Sequence, residues 1–487
     1  MKAKAERKRL FIGDQINECR DCSGLYFLLP CERGYITKWD VQKPIWDYVF
    51  SKKVCPIDEH PVVLTQPLFN FNSIQDCIDE IFFEEYEVSS MFRLNPTDLA
   101  YLKYTRDHRL RKTAPCMIID TGFSFTHIIP YINGNKYLSG VRRLNVGGKL
   151  LTNHLKDIIS YRQYNVMEET YVINQVKEDS CYVAQDVKKE LSIAVKSGAE
   201  NNIVRNYVLP DFNNIRRGYI LENNSDAKEN EENCQILRLN NERFIVPEIL
   251  FHPSDIGMKS MGIAEAVVKS ILCCPKKYQQ GLAKNVVVTG GNCNFKGFKE
   301  RILAEVRSML PHLWEVNVYQ PDDPITYSWE GGKSLLKMPD FKSSLVTKGE
   351  YEELGSAIVQ QRFNTWMTDN STVKEEPPEK NQEDYRYLDW LKSRTVFGKE
   401  DPVDEKDHCE QEDDSKTQQN SEENDGNNVP ENVDIGQQPA DVEPKTKASL
   451  KNLESIPIPN NIKEDDQSSL DFSMHNELFP LGLGSYL

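Results

Sequence analysis

Residues 116–122 read Cys116-Met117-Ile118-Ile119-Asp120-Thr121-Gly122: four apolar residues that stop at a carboxylate, a hydroxyl and a glycine. A short apolar run of this kind suits a buried strand, and the small polar residues after it suit a turn. Working outward, Val286-Val287-Val288 ends the same way, in Thr289-Gly290-Gly291-Asn292. Val62-Val63-Leu64 is a third such run. Between the runs lie helical patterns, one over 73–80 running into Ile81-Phe82-Phe83 and one over 149–159 with Leu150, Leu151, Leu155 and Ile158 apolar. Buried strands alternating with helices predict an α/β fold with mostly parallel sheets, which bind ligands at the carboxyl ends of their strands.

The turns after Ile119 and Val288 are therefore the candidate site. Small residues let backbone N–H groups approach a phosphate, and an acid at a strand end can hold a metal-bound water. That makes Asp120, Thr121, Gly122, Gly290, Gly291 and Asn292 candidate nucleotide-binding residues. Neither turn matches the P-loop or the dinucleotide fingerprint. His127 reads as a structural histidine at a strand edge. Cys19, Cys22 and Cys31 include a C-x-x-C, but no second pair follows to complete a zinc site. The twelve cysteines lack a framework spacing, which fits reduced thiols in an intracellular protein.

Charge divides the chain. Lys and Arg number 59 against 75 Asp and Glu, a net −16. Residues 371–487 hold 12 basic and 28 acidic residues, which leaves 47 of each in 1–370. A neutral body argues against a bulk phosphate-backbone binder, which would carry a basic face. Few apolar residues and high acidity predict that 370–487 is a mostly disordered acidic tail, which suits basic partners or simply a solvated tail. The Asn-rich and acidic stretch 212–234 reads as an inserted surface loop. No run of ~18 apolar residues offers a membrane span.

Further motifs fall in a recognisable order. Gly34-Tyr35-Ile36-Thr37-Lys38-Trp39-Asp40 is followed by His60-Pro61-Val62-Val63-Leu64-Thr65 and by Ile119-Asp120-Thr121-Gly122 with Thr126-His127. Arg143-Leu144-Asn145-Val146-Gly147-Gly148, Val176-Lys177-Glu178, Tyr207-Val208-Leu209-Pro210-Asp211, Thr289-Gly290-Gly291 and Trp329-Glu330-Gly331-Gly332 complete the series. Together, over about residues 10–365, they resemble the actin superfamily. The stretches 146–155, 251–257 and 324–327 are similar to a nuclear, chromatin-remodelling branch of actin-related proteins.

The resemblance implies a two-lobed, ribonuclease-H-like α/β body over 1–369, related to Hsp70 ATPase domains, with nucleotide in a central cleft. It adds Lys177 and Glu178, which match the pair beside the adenine, and implies a structural ATP with magnesium reached by Asp120 through bound water. No residue is expected to ligate the metal directly. The family opens with a strand–turn–strand bearing Asp-Asn-Gly, its first phosphate loop, and the match begins after it, so the body reads as N-terminally truncated. Where actin has Asp-Ser-Gly-Asp-Gly, this chain has Asp120-Thr121-Gly122-Phe123-Ser124. The glutamine that orients actin's attacking water would fall near Asn95-Pro96, where none occurs. In-line hydrolysis then lacks its positioning groups, so no catalytic residue is expected.

What the branch implies is a non-catalytic scaffold subunit of a Swr/SRCAP-type remodelling complex, which exchanges histone dimers for the H2AZ variant. The implied partners are the remodeller ATPase, a zinc-finger HIT subunit, and histones or the nucleosome, with neither a membrane nor sequence-specific DNA. The implied place is the nucleus, with the cytoplasm second. The competing expectations are an active ATPase of the actin or Hsp70 type and a cytoskeletal actin-like protein.

Overall fold

The computed structural model describes residues 10–19, 26–212, 214–221, 234–338 and 341–364. The predicted tail over 370–487 and Cys22 lie outside the described residues. The strands in chain order are β1 (Cys31–Glu32), β2 (Tyr35–Ile36), β3 (Pro61–Thr65), β4 (Ser90–Leu94), β5 (Cys116–Thr121), β6 (Thr126–Ile132) and β7 (Asn135–Lys136). They continue as β8 (Arg142–Leu144), β9 (Arg205–Val208), β10 (Tyr219–Ile220), β11 (Ile236–Leu239), β12 (Val286–Thr289), β13 (Val318–Tyr319) and β14 (Val346–Thr347).

The three apolar runs are strands, and both predicted helices form, as Asn72–Glu80 and Gly148–Arg162. After Glu80 the chain widens into a π-helical turn, Ile81–Glu85, closed by Tyr86 N donating to Ile81 O. The turn buries two successive aromatics, Phe82 and Phe83.

Sheet polarity corrects the expectation of mostly parallel pairing. The central sheet runs β13-β12-β5-β6-β7, with β8 also on β6. Among the strands of the described residues, only β12 with β13, β12 with β5 and, in a second sheet, β3 with β4 are parallel. The cause is connection length. β5 and β6 are joined by the short turn 122–125, which permits only antiparallel return, whereas helices separate β5 from β12.

Two large apolar cores support the site. One lies around the central sheet, with Ile119, Ile128, Leu151, Val176, Val267 and Val288 buried. The other lies around β3, β4 and β14 and is rich in aromatics, with Trp46 fully buried and edge-on to Phe82 at 5.2 Å. Part of the predicted loop 212–234 is β10, which pairs with β9; residues 222–233 lie outside the described residues.

Candidate functional site

Parallel pairing of β5 with β12 sets Ile119 opposite Val288 and Asp120 opposite Thr289. Both strands therefore end on one edge, and their turns meet. At Gly290 (φ +95°) a Cβ would lie 2.3 Å from the Thr121 carbonyl oxygen, so only glycine fits the contact. Asn292 closes the junction, donating its side-chain amide to Thr121 Oγ1 at 3.0 Å and to Gly122 O at 2.8 Å. Thr126 Oγ1 lies 3.0 Å from Thr121 Oγ1 on the other side.

The third part is the start of the helix Gly148–Arg162. Gly148 N donates to Gly122 O and Lys149 N to Phe123 O, so the turn after β5 caps this helix with two carbonyls. A Cβ at Gly148 would lie 3.1 Å from the Phe123 ring, 3.3 Å from Lys177 Nζ and 3.4 Å from Asn292 Oδ1. Thr121, Gly122, Lys177, Gly290 and Asn292 thus converge at one point. Gly291 begins the 3-10 turn Gly291–Asn294 beside them.

Lys177 is not half of a solvated helix pair. Its amine is buried and donates to Asn174 Oδ1 (2.6 Å), Thr152 Oγ1 (3.0 Å) and Gly148 O (3.3 Å), 5.7 Å from the Phe123 ring centroid. Glu178 is exposed and accepts from Asn174 Nδ2 at 2.8 Å. The two donors that read as nucleotide contacts, Lys177 and Asn292, are thereby engaged within the protein.

Asp120 faces a different space. It lines a cavity of about 10 Å³ with Gln66, Asn95, Pro96 and His127, the size of a single water. Burial pushes its carboxyl up to about 7. His127, opposite Asp120 in the β5–β6 register, is buried, and its Nε2 has no hydrogen-bond partner. Burial, and secondarily the Arg143 charge, hold this imidazole well below its usual value. It sits inside the sheet between β5 and β8 rather than at an edge, because β6 is paired on both sides there. Gln66 is the residue that sequence reading missed. It follows directly on β3, and the signal was a third strand ending in polar residues, Thr65-Gln66.

Comparison with known proteins fits this geometry. The model of the family described as actin matches residues 1–364. The chain belongs to the actin family. This actin-family chain is 44% identical over 367 residues to the Drosophila melanogaster protein named actin-related protein 6, covering 74% of this chain and 92% of that one. It is 35% identical over 360 residues to the Arabidopsis thaliana actin-related protein 6 (69% and 85% covered) and 35% over 388 residues to that of Neurospora crassa (74% and 86%). Within the actin family, a chain with Phe123 and Ser124 in its turn places a ring where conventional actin has an acid.

Proposed function

We propose that this chain is a non-catalytic, actin-fold scaffold subunit of a nuclear Swr/SRCAP-type complex that exchanges histone dimers for the H2AZ variant. The remodeller ATPase, a zinc-finger HIT subunit and the nucleosome are its proposed partners. One observation carries the non-catalytic part: the Phe123 ring and the buried Lys177 amine occupy the point where the two turns and the helix start converge. No carboxylate stands at 123 or 124 to place a metal and water for in-line attack. Similarity to proteins named actin-related protein 6 supports the branch.

For the cofactor we propose at most a structural ATP with magnesium. Asp120 would hold a metal-bound water, and Gly290, Gly291 and Glu178 would face the nucleoside. The donor set fits a nucleotide poorly as it stands, since Lys177 and Asn292 would have to surrender the bonds described above.

The competing ATPase reading has one observation in its favour, the small cavity that Gln66, Asp120 and His127 share. Phosphate release from the purified chain, alone and with its partners, separates the two. Turnover abolished by Asp120→Ala would establish the ATPase; release at the buffer rate, with the chain co-purifying with a remodeller ATPase, supports the scaffold.

A further inference from the structure

The helix Pro96–Asp107 ends in a paired cap. Leu110 N donates to Thr105 O and Arg109 N to Arg106 O, with Arg109 at φ +52°. This is the left-handed position that glycine normally fills at a helix C-terminus. A bulky side chain retained at such a position is an outlier from which a use for that side chain can be inferred.

The surroundings indicate the use. Arg106, Arg109, Arg111 and Lys112 are all exposed within seven residues. Tyr101 Oη pins the segment by donating to Lys112 O at 2.7 Å and Ala114 O at 3.1 Å. A tight turn sits against it, since a Cβ on Gly134 would lie 3.2 Å from Lys112 O. Its neighbour Asn133 donates to Tyr278 Oη at 2.8 Å. That brings in the exposed Lys276 and Lys277 from the helix Lys276–Lys284. The carboxylate on the same turn, Asp107, is held by Lys103 at 3.0 Å, and Lys103 also reaches Glu330 at 3.2 Å. Glu315, beyond the other end of the Lys276–Lys284 helix, is paired with Lys284.

We propose that this face binds the phosphate backbone of double-stranded nucleic acid without regard to base sequence. Six exposed cations, on two segments linked through the turn at Asn133 and Gly134, offer more than a point contact, which suits a continuous polyanion. Three are arginines, whose planar fork matches phosphate. The face is also poor in the aromatic anchors that an acidic protein partner would need, Tyr278 being half-buried. Net charge does not oppose this, because at ~0.1 M salt distant charges are screened beyond about 10 Å. The inference is independent of the subunit reading, because its test uses the isolated full-length chain.

Fluorescence anisotropy with a random-sequence duplex of about 20 base pairs, over a salt series, tests it. If all six cations meet phosphates, the expected slope of log Kobs against log salt is about −5. Arg109→Gly should raise the melting temperature while weakening binding about threefold to tenfold and reducing the slope by about one. Arg111→Ala with Lys277→Ala should abolish most of the remaining affinity with an unchanged melting temperature. Three results overturn the proposal: no binding at ~0.1 M salt, binding insensitive to these substitutions, or displacement of the duplex by poly-glutamate at equal charge concentration, which would make the face an acidic-protein site.

Discussion

The side chain of Asn292 donates to Thr121 Oγ1 at 3.0 Å, tying together two turns that lie 171 residues apart in sequence. The same amide reaches Gly122 O, so one buried carboxamide fastens both strand ends. Asn292→Ala leaves Thr121 and Gly122 with fewer partners in a buried place. It should lower unfolding free energy by about 1–3 kcal/mol. Urea denaturation measures this; an unchanged midpoint would show that the turns are held by β5–β12 pairing alone.

Lys177 and Glu178 should behave as opposites, although they are neighbours. Lys177→Met strips three acceptors of a buried cation and should cost about 2–3 kcal/mol. Glu178→Gln keeps an acceptor for Asn174 at the surface and should stay within ~0.5 kcal/mol of the parent. Equal effects in thermal unfolding would contradict the burial of the lysine.

Arg93 and Asp79 form a fully buried pair at 3.0 Å. Burial pushes the Asp79 carboxyl up to about 7 despite the guanidinium, and burial also lowers Arg93. Both shifts favour the neutral forms, so loss of water outweighs the attraction. Asp79→Leu alone should cost about 3–5 kcal/mol because it strands a buried cation. Asp79→Leu with Arg93→Met should cost less than that single change. A double-mutant cycle with additive losses would refute the argument.

Glu350 contributes to the pH dependence on the acid side. Arg362 and the Thr347 N–H hold its carboxyl at about 2, below its ordinary 4.5. The carboxylate is therefore favoured in the folded state. Its contribution is present above about 4.5 and is lost as pH falls through about 2. With 37% of the side chain exposed, screening limits the effect to under ~1 kcal/mol. Glu350→Gln should flatten the acid side of the stability curve while leaving the slope above about pH 6 unchanged.

The sequence made the strand ends legible, because apolar runs stopping at Asp120-Thr121-Gly122 and Thr289-Gly290-Gly291 are local signals. The convergence of Thr121, Gly122, Gly290 and Asn292 needed one further fact, the parallel pairing of β5 with β12. Polarity of the sheet was less legible, since it depends on connection length as well as on strand composition. The burial of Lys177 could not be read at all: a lysine beside a glutamate on a helix has the pattern of a solvated face, and its acceptors come from Gly148 and Thr152 as well as its own helix. The basic face was hidden by arithmetic. Equal numbers of acids and bases in 1–370 say nothing about where they sit, and the segments of Lys112 and Lys277 are linked through the turn at Asn133 and Gly134.

The pairing of β5 with β12 also has a history. Ile119 waits for Val288, 169 residues further along, while β6 arrives at once on its other side. At about 5–20 residues per second, a ribosome needs roughly 10 to 30 s to deliver that partner. For that interval a strand whose six residues are all buried in the finished protein has a bare edge, open to whatever else in the cell can pair with it. Newborn chains should therefore depend on chaperones far more than the finished protein does, and damage to β12 should appear as lost yield before it appears as lost function.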